Sequence, residues 1–166
     1  MSRRGGRTAL RRWVVAAMLG VLAGAALADG EPRFADGAAT FQANCAVCHR
    51  ANGAGTPGLA PPLSEYPPRF VASAEGRRQL ALTVLYGMYG DIVVGERHYN
   101  FKMPDFTRFD DATLAAVLNY VVFDLGHAPA DLGPLAAADL AAERARALDG
   151  SAVRDHRAEV VARLAP

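Results

Sequence analysis

The chain has 166 residues and a formal net charge of +1, from 18 Lys and Arg against 17 Asp and Glu. No basic face suited to nucleic acid emerges from that balance, and the length suits one main domain with one core. The chain has only two cysteines, so a multi-disulfide scaffold is excluded.

The first 28 residues read as an export signal. Arg3, Arg4, Arg7, Arg11 and Arg12 precede an uncharged run over residues 13–28 that ends in Ala26-Leu27-Ala28. This is the order of a secretory signal peptide, with cleavage expected after Ala28. The 16-residue run is shorter than the roughly 20 residues that span a bilayer, which disfavours an uncleaved anchor. The remaining 138 residues hold 13 basic and 17 acidic side chains, a net of −4.

Residues 34–49 read as one helix, with Asp36 near its start where an acid suits the helix dipole. It ends in Cys45-Ala46-Val47-Cys48-His49. This C-x-x-C-H spacing attaches a c-type haem through two thioether bonds. On a helical turn Cys45 and His49 project from the same side, which presents an imidazole to the iron as proximal ligand. A zinc site would need two further ligands without a second Cys pair. A thioredoxin-like pair would need a preceding strand, where this sequence reads helical.

Residues 50–70 are rich in proline and glycine and read as an irregular loop. A loop of that length in a small domain suits a segment wrapped around a cofactor. A helix is expected over residues 77–86, with Leu80, Val84 and Leu85 on one stripe and Gly87 as its stop. A short hairpin is expected over residues 91–99, turning near Gly95-Glu96.

Met103 follows, 54 residues after His49, and Pro104 holds it out of the helical region. A thioether favours ferrous iron, so Met103 is the leading distal ligand, with His98 as its rival. Met88 reads as a gap-filler lining the same crevice. A closing helix capped by Asp110 or Asp111 is expected to run to Leu125, with Leu114, Val117, Leu118, Val121 and Val122 buried. Gly126 is its expected C′ stop. Beyond it, Pro129 and Gly133-Pro134 read as a linker. A helix over residues 135–148 and a last helix capped by Ser151 follow. His127 and His156 are expected at the surface.

Taken together, residues 34–126 resemble the class I mono-haem c-type cytochromes. The resemblance rests on Gly37 and Phe41, on Cys45, Cys48 and His49, on Gly53, Gly55, Gly58 and Pro61-Pro62-Leu63, on Met103-Pro104, and on Leu114, Val117, Leu118, Asn119 and Tyr120. A subgroup with a short hairpin before the methionine and a helical tail fits best. Lys102 and His98 depart from its pattern. The resemblance implies an all-α cytochrome c fold: three to four helices around one covalent haem c, with a small hairpin and a helical C-terminal extension. It also implies that the Pro61 carbonyl receives the proximal His49 proton.

The expected organisation is therefore a signal at residues 1–28, a cytochrome domain at 29–126 and an extension at 127–166. The extension is expected to pack back over the body, with docking of a larger oxidoreductase and a flexible tail as the alternatives. Tyr86, Tyr89 and Tyr99 are expected to flank the crevice, with Tyr99 the first choice to bond a haem propionate. Arg77, Arg78 and Arg97 read as solvated charges, with propionate neutralisation or partner steering as the alternative.

The expected function is electron transfer in the periplasm, not catalysis. One six-coordinate His49/Met103 haem would pass single electrons between a periplasmic redox enzyme and a membrane electron-transport chain. A dedicated haem subunit of a periplasmic dehydrogenase is the alternative, and a ligand-binding haem sensor a weaker one. No hydrolase or kinase motif is present.

Overall fold

A computed structural model describes residues 31–164. The signal segment at 1–28 lies outside these residues. Seven α-helices, a two-stranded hairpin, one π-helical segment and one 3-10 turn make up the described fold.

Helix α1, Ala35–Asn44, begins where the Asp124 carboxylate accepts from the backbone N–H groups of Arg33 (3.2 Å) and Phe34 (3.0 Å). It crosses α5, Asp111–Asn119, at Gly37. A Cβ on Gly37 would lie 2.0 Å from the Ala116 carbonyl oxygen, so only glycine allows this approach. Phe41, fully buried, packs its ring 5.4 Å from that of Tyr120 and fixes the crossing.

The expected single helix over residues 34–49 is in fact two. Cys45 departs to φ −110°, and a separate turn, α2 (Ala46–His49), carries the rest of the motif. The chain then reverses at Arg50, φ 62°. The loop that follows ends in a single helical turn, α3 (Pro67–Phe70), with Pro67 at its first position, where a missing N–H costs nothing.

Helix α4, Ala74–Tyr86, starts three residues earlier than expected because Ser73 caps it, accepting from Gly76 N–H at 3.1 Å. Strands β1 (Ile92–Val94) and β2 (Arg97–Tyr99) pair antiparallel across Gly95-Glu96, as the sequence suggested. Asp110 caps α5 through Thr113 N–H at 2.7 Å.

The closing helix does not stay α-helical to Leu125. Tyr120–Leu125 widens into a π-helix, a form that sequence periodicity alone does not signal. Gly126 ends it at φ −93°, and His127 takes the left-handed position at φ 55°. The expected glycine stop is thus displaced by one residue.

Residues beyond 126 complete the core. After a 3-10 turn (Ala130–Leu132) come α6 (Ala137–Arg144) and α7 (Gly150–Arg163). Leu135, Leu140 and Val160 belong to the same buried cluster as Leu85, Phe106 and Leu118. Arg77 fastens the linker by donating to the carbonyls of Val71, Leu132, Gly133 and Pro134. It is a structural clamp, not the solvated charge expected. The cap of α7 is Asp149, not Ser151. Its carboxylate accepts from Ser151 and Ala152 N–H, each at 2.9 Å, and being ionised it is the stronger acceptor.

Candidate haem cavity

Cys45, Cys48, His49, Pro61, Tyr99 and Met103 all line one cavity of about 1360 Å³, open mouth included. It is enclosed by α1, α2, the loop to α3, α4, the hairpin, the Met103 segment, α5 and α7.

One wall is built from residues close in sequence. His49 Nδ1 lies 3.0 Å from the Pro61 carbonyl oxygen. If Nδ1 carries the proton it donates there, leaving the Nε2 lone pair free for a metal. The loop is held by Gly55 N–H to the His49 carbonyl (2.9 Å), Thr56 Oγ1 to the Cys48 carbonyl (2.9 Å) and Leu63 N–H to the Gly53 carbonyl (2.8 Å). Burial, opposed by the Pro61 bond, pulls the His49 pKa below the ordinary histidine value, and this lowering favours the neutral ring a metal needs. Burial also pushes the Cys45 thiol up to about 11, against the pull of the Arg108 cation.

The opposing segment carries Met103. Met88 and Met103 exchange two backbone hydrogen bonds, 3.1 and 2.8 Å, which pin the methionine segment to the end of α4. Gly87 turns at φ 68°, and a Cβ there would lie 2.3 Å from the Met103 carbonyl oxygen. Met103 is half-buried and packs against the core.

Other expectations sort clearly. His98 points away from the cavity: its side chain is 71% exposed and its Nδ1 lies 2.8 Å from Asp91 Oδ2. That follows from strand alternation, since neighbouring Tyr99 is the buried residue. Tyr86 and Tyr89 do not line the cavity. The Tyr86 hydroxyl instead faces the Glu143 and Arg144 carbonyls at 2.9 and 2.6 Å. Arg78 is not simply solvated: its Nε lies 3.2 Å from the buried Glu143 carboxylate. Arg97 is exposed on β2, as expected, and so is His127.

His156 is only partly exposed, not the free surface residue expected. Its Nδ1 lies 2.5 Å from Oε1 of the fully buried Gln79 and its Nε2 3.5 Å from Glu75. The helix α7 packs on α4, and that tertiary contact covers it.

Among the lining residues that the sequence reading did not single out are Tyr66 and Arg157. The signal for Arg157 was available, since it shares the α7 stripe of Val153 and Val160.

The residues fit a haem. Both thiols, an oriented imidazole and a thioether share one largely apolar cavity. Among the described residues no cluster of three or more His, Cys, Asp or Glu converges to hold a single ion. That is unlike a zinc site and suits sulfurs that reach a porphyrin's edge.

Residues 34–122 match the cytochrome c family. The chain belongs to that family. It is 40% identical over 119 residues to a cytochrome c-552 of Thermus thermophilus, covering 72% of this chain and 75% of that protein. A second cytochrome c-552 from Thermus thermophilus is 43% identical over 94 residues, covering 57% of this chain and 71% of its own length. This cytochrome is therefore a haem c electron-transfer protein, with its haem covalently held. No helix among the described residues is long and apolar enough to cross a membrane.

Proposed function

We propose that this cytochrome is an exported, periplasmic one-electron carrier in which His49 and Met103 hold the iron from two sides. The observation that carries the reading is the pairing of His49 with the Pro61 carbonyl at 3.0 Å in the cavity that Met103 also lines. Bound haem c supplies the ferric/ferrous couple. Cys45 and Cys48 tether it, so it is not lost in an open compartment. Pro61 fixes the plane of the His49 ring, and the Gly87 turn and the Met88 bridge hold Met103 in place. With His49 and Met103 both holding the iron, no place at the metal would remain for a substrate.

The apolar lining excludes water and keeps the reorganisation on electron transfer small. Val47, between the two cysteines, lines the cavity and is 82% exposed, so the mouth opens beside the motif. Electrons would leave there to a redox enzyme or a membrane electron-transport chain. Residues 1–28 would direct export, residues 29–126 would form the cytochrome body, and residues 127–166 would cover it.

Carbon monoxide tests the closed coordination. The reduced holoprotein is expected to bind it slowly or not at all at neutral pH. Rapid binding would mean an open iron and a ligand-sensing protein instead.

A further inference from the structure

Arg157 is 8% exposed and lies outside the segment matched to the family, yet it lines the haem cavity. Its guanidinium carbon sits 4.8 Å from the centre of the Tyr66 ring. Among the described residues no oxygen accepts a hydrogen bond from it, and no carboxylate lies within ion-pair distance. The titratable and charged groups that share the cavity are His49, Cys45, Cys48, Tyr66, Tyr99 and Lys102. No Asp or Glu is among them.

A buried cation without a counter-ion is unfavourable, and removing it from water weakens its hold on the proton. The cavity thus holds a fixed positive group whose anion the chain does not provide. Haem c brings two propionate carboxylates, and arginine pairs with a carboxylate through two parallel N–H donors.

Of the other arginines considered for this role, Arg77 and Arg78 are engaged elsewhere, and Arg97 is exposed on β2 and does not line the cavity. Arg77 clamps four carbonyls, and Arg78 pairs with Glu143. Lys102 is exposed and lies over Tyr89.

We infer that Arg157, delivered by the C-terminal extension and steadied by Tyr66, binds a haem propionate and so couples the last helix to the cofactor's electronics. This rests on the reading of the cavity as a haem site. The positive charge favours the reduced, more negative iron, and it keeps the propionate ionised into the acid range.

The test is the midpoint potential of the holoprotein as a function of pH, for wild type, Arg157→Lys and Arg157→Gln. Arg157→Gln is expected to have a lower potential at neutral pH and a new step in which the potential rises as pH falls. That step reports a propionate now protonated at milder acidity. Arg157→Lys, which keeps the charge but loses the paired donors, is expected to lie between the two, nearer the wild-type profile.

An Arg157→Gln protein with full covalent haem and an unchanged profile would overturn this inference and leave the haem reading standing. Wild-type protein without covalent haem would overturn both. If Arg157→Gln does not mature, a crystal structure of the wild-type holoprotein decides the point. A guanidinium nitrogen within hydrogen-bond reach of a propionate oxygen supports the inference, and a guanidinium turned away refutes it.

Discussion

The two walls of the haem cavity are built on different scales. The His49 wall is self-contained: the bonds that shape it link residues 48 to 63, none more than 12 positions apart. The Met103 wall depends on distant partners. Tyr89 N–H donates to the Gly150 carbonyl at 3.3 Å, and Phe106 N–H to the Val84 carbonyl at 3.0 Å. Arg144 donates to the Thr107 and Phe109 carbonyls at 3.1 and 2.8 Å. Haem attachment is thus written locally, whereas Met103, the proposed second ligand, is held by the assembled fold, the C-terminal extension included.

The largest effect should come from breaking the local wall. Replacing both Cys45 and Cys48 with alanine is expected to abolish covalent haem, read as loss of haem staining after denaturing electrophoresis. Single-residue damage to the distant wall should weaken the fold and leave attachment intact. Leu140→Ala removes a fully buried side chain from the core cluster shared by α4, α5 and α6. It is expected to cost about 2–5 kcal/mol in denaturant unfolding of the holoprotein, with haem staining unchanged. Haem loss on Leu140→Ala would erase the contrast between the walls.

A smaller effect follows from Asp149, whose hydrogen bonds to Ser151 and then Ala152 hold its pKa below the ordinary aspartate value. A depressed folded pKa gives stability that is full above the unfolded value and lost as pH falls through the folded one. The stability gap between wild type and Asp149→Ala should therefore narrow as pH is lowered from about 6 to about 2. A gap that widens in acid would contradict the cap.

The same difference of scale explains what could be read in advance. Cys45, Cys48 and His49 were legible because their spacing is itself the chemistry. The hairpin was legible from its Gly95-Glu96 turn, and the cap of α5 was narrowed to Asp110 or Asp111, of which the structure uses Asp110. What escaped was of two kinds. The partial cover of His156 and the reach of Tyr86 toward α6 join segments far apart in sequence, and the break at Cys45 and the π-helix at Tyr120–Leu125 are changes of helical form that periodicity does not signal. Arg157 escaped because charge on a helix reads as solvent-facing. Its place on the Val153–Val160 stripe shows its direction only once α7 is known to close over the cavity.

The most direct test is the weak near-infrared sulfur-to-iron band of the oxidised holoprotein. The account predicts that wild type and Met88→Ala show the band at neutral pH and that Met103→Ala does not. A band that survives in Met103→Ala, or is missing from wild type, would contradict the assignment of Met103 to the iron.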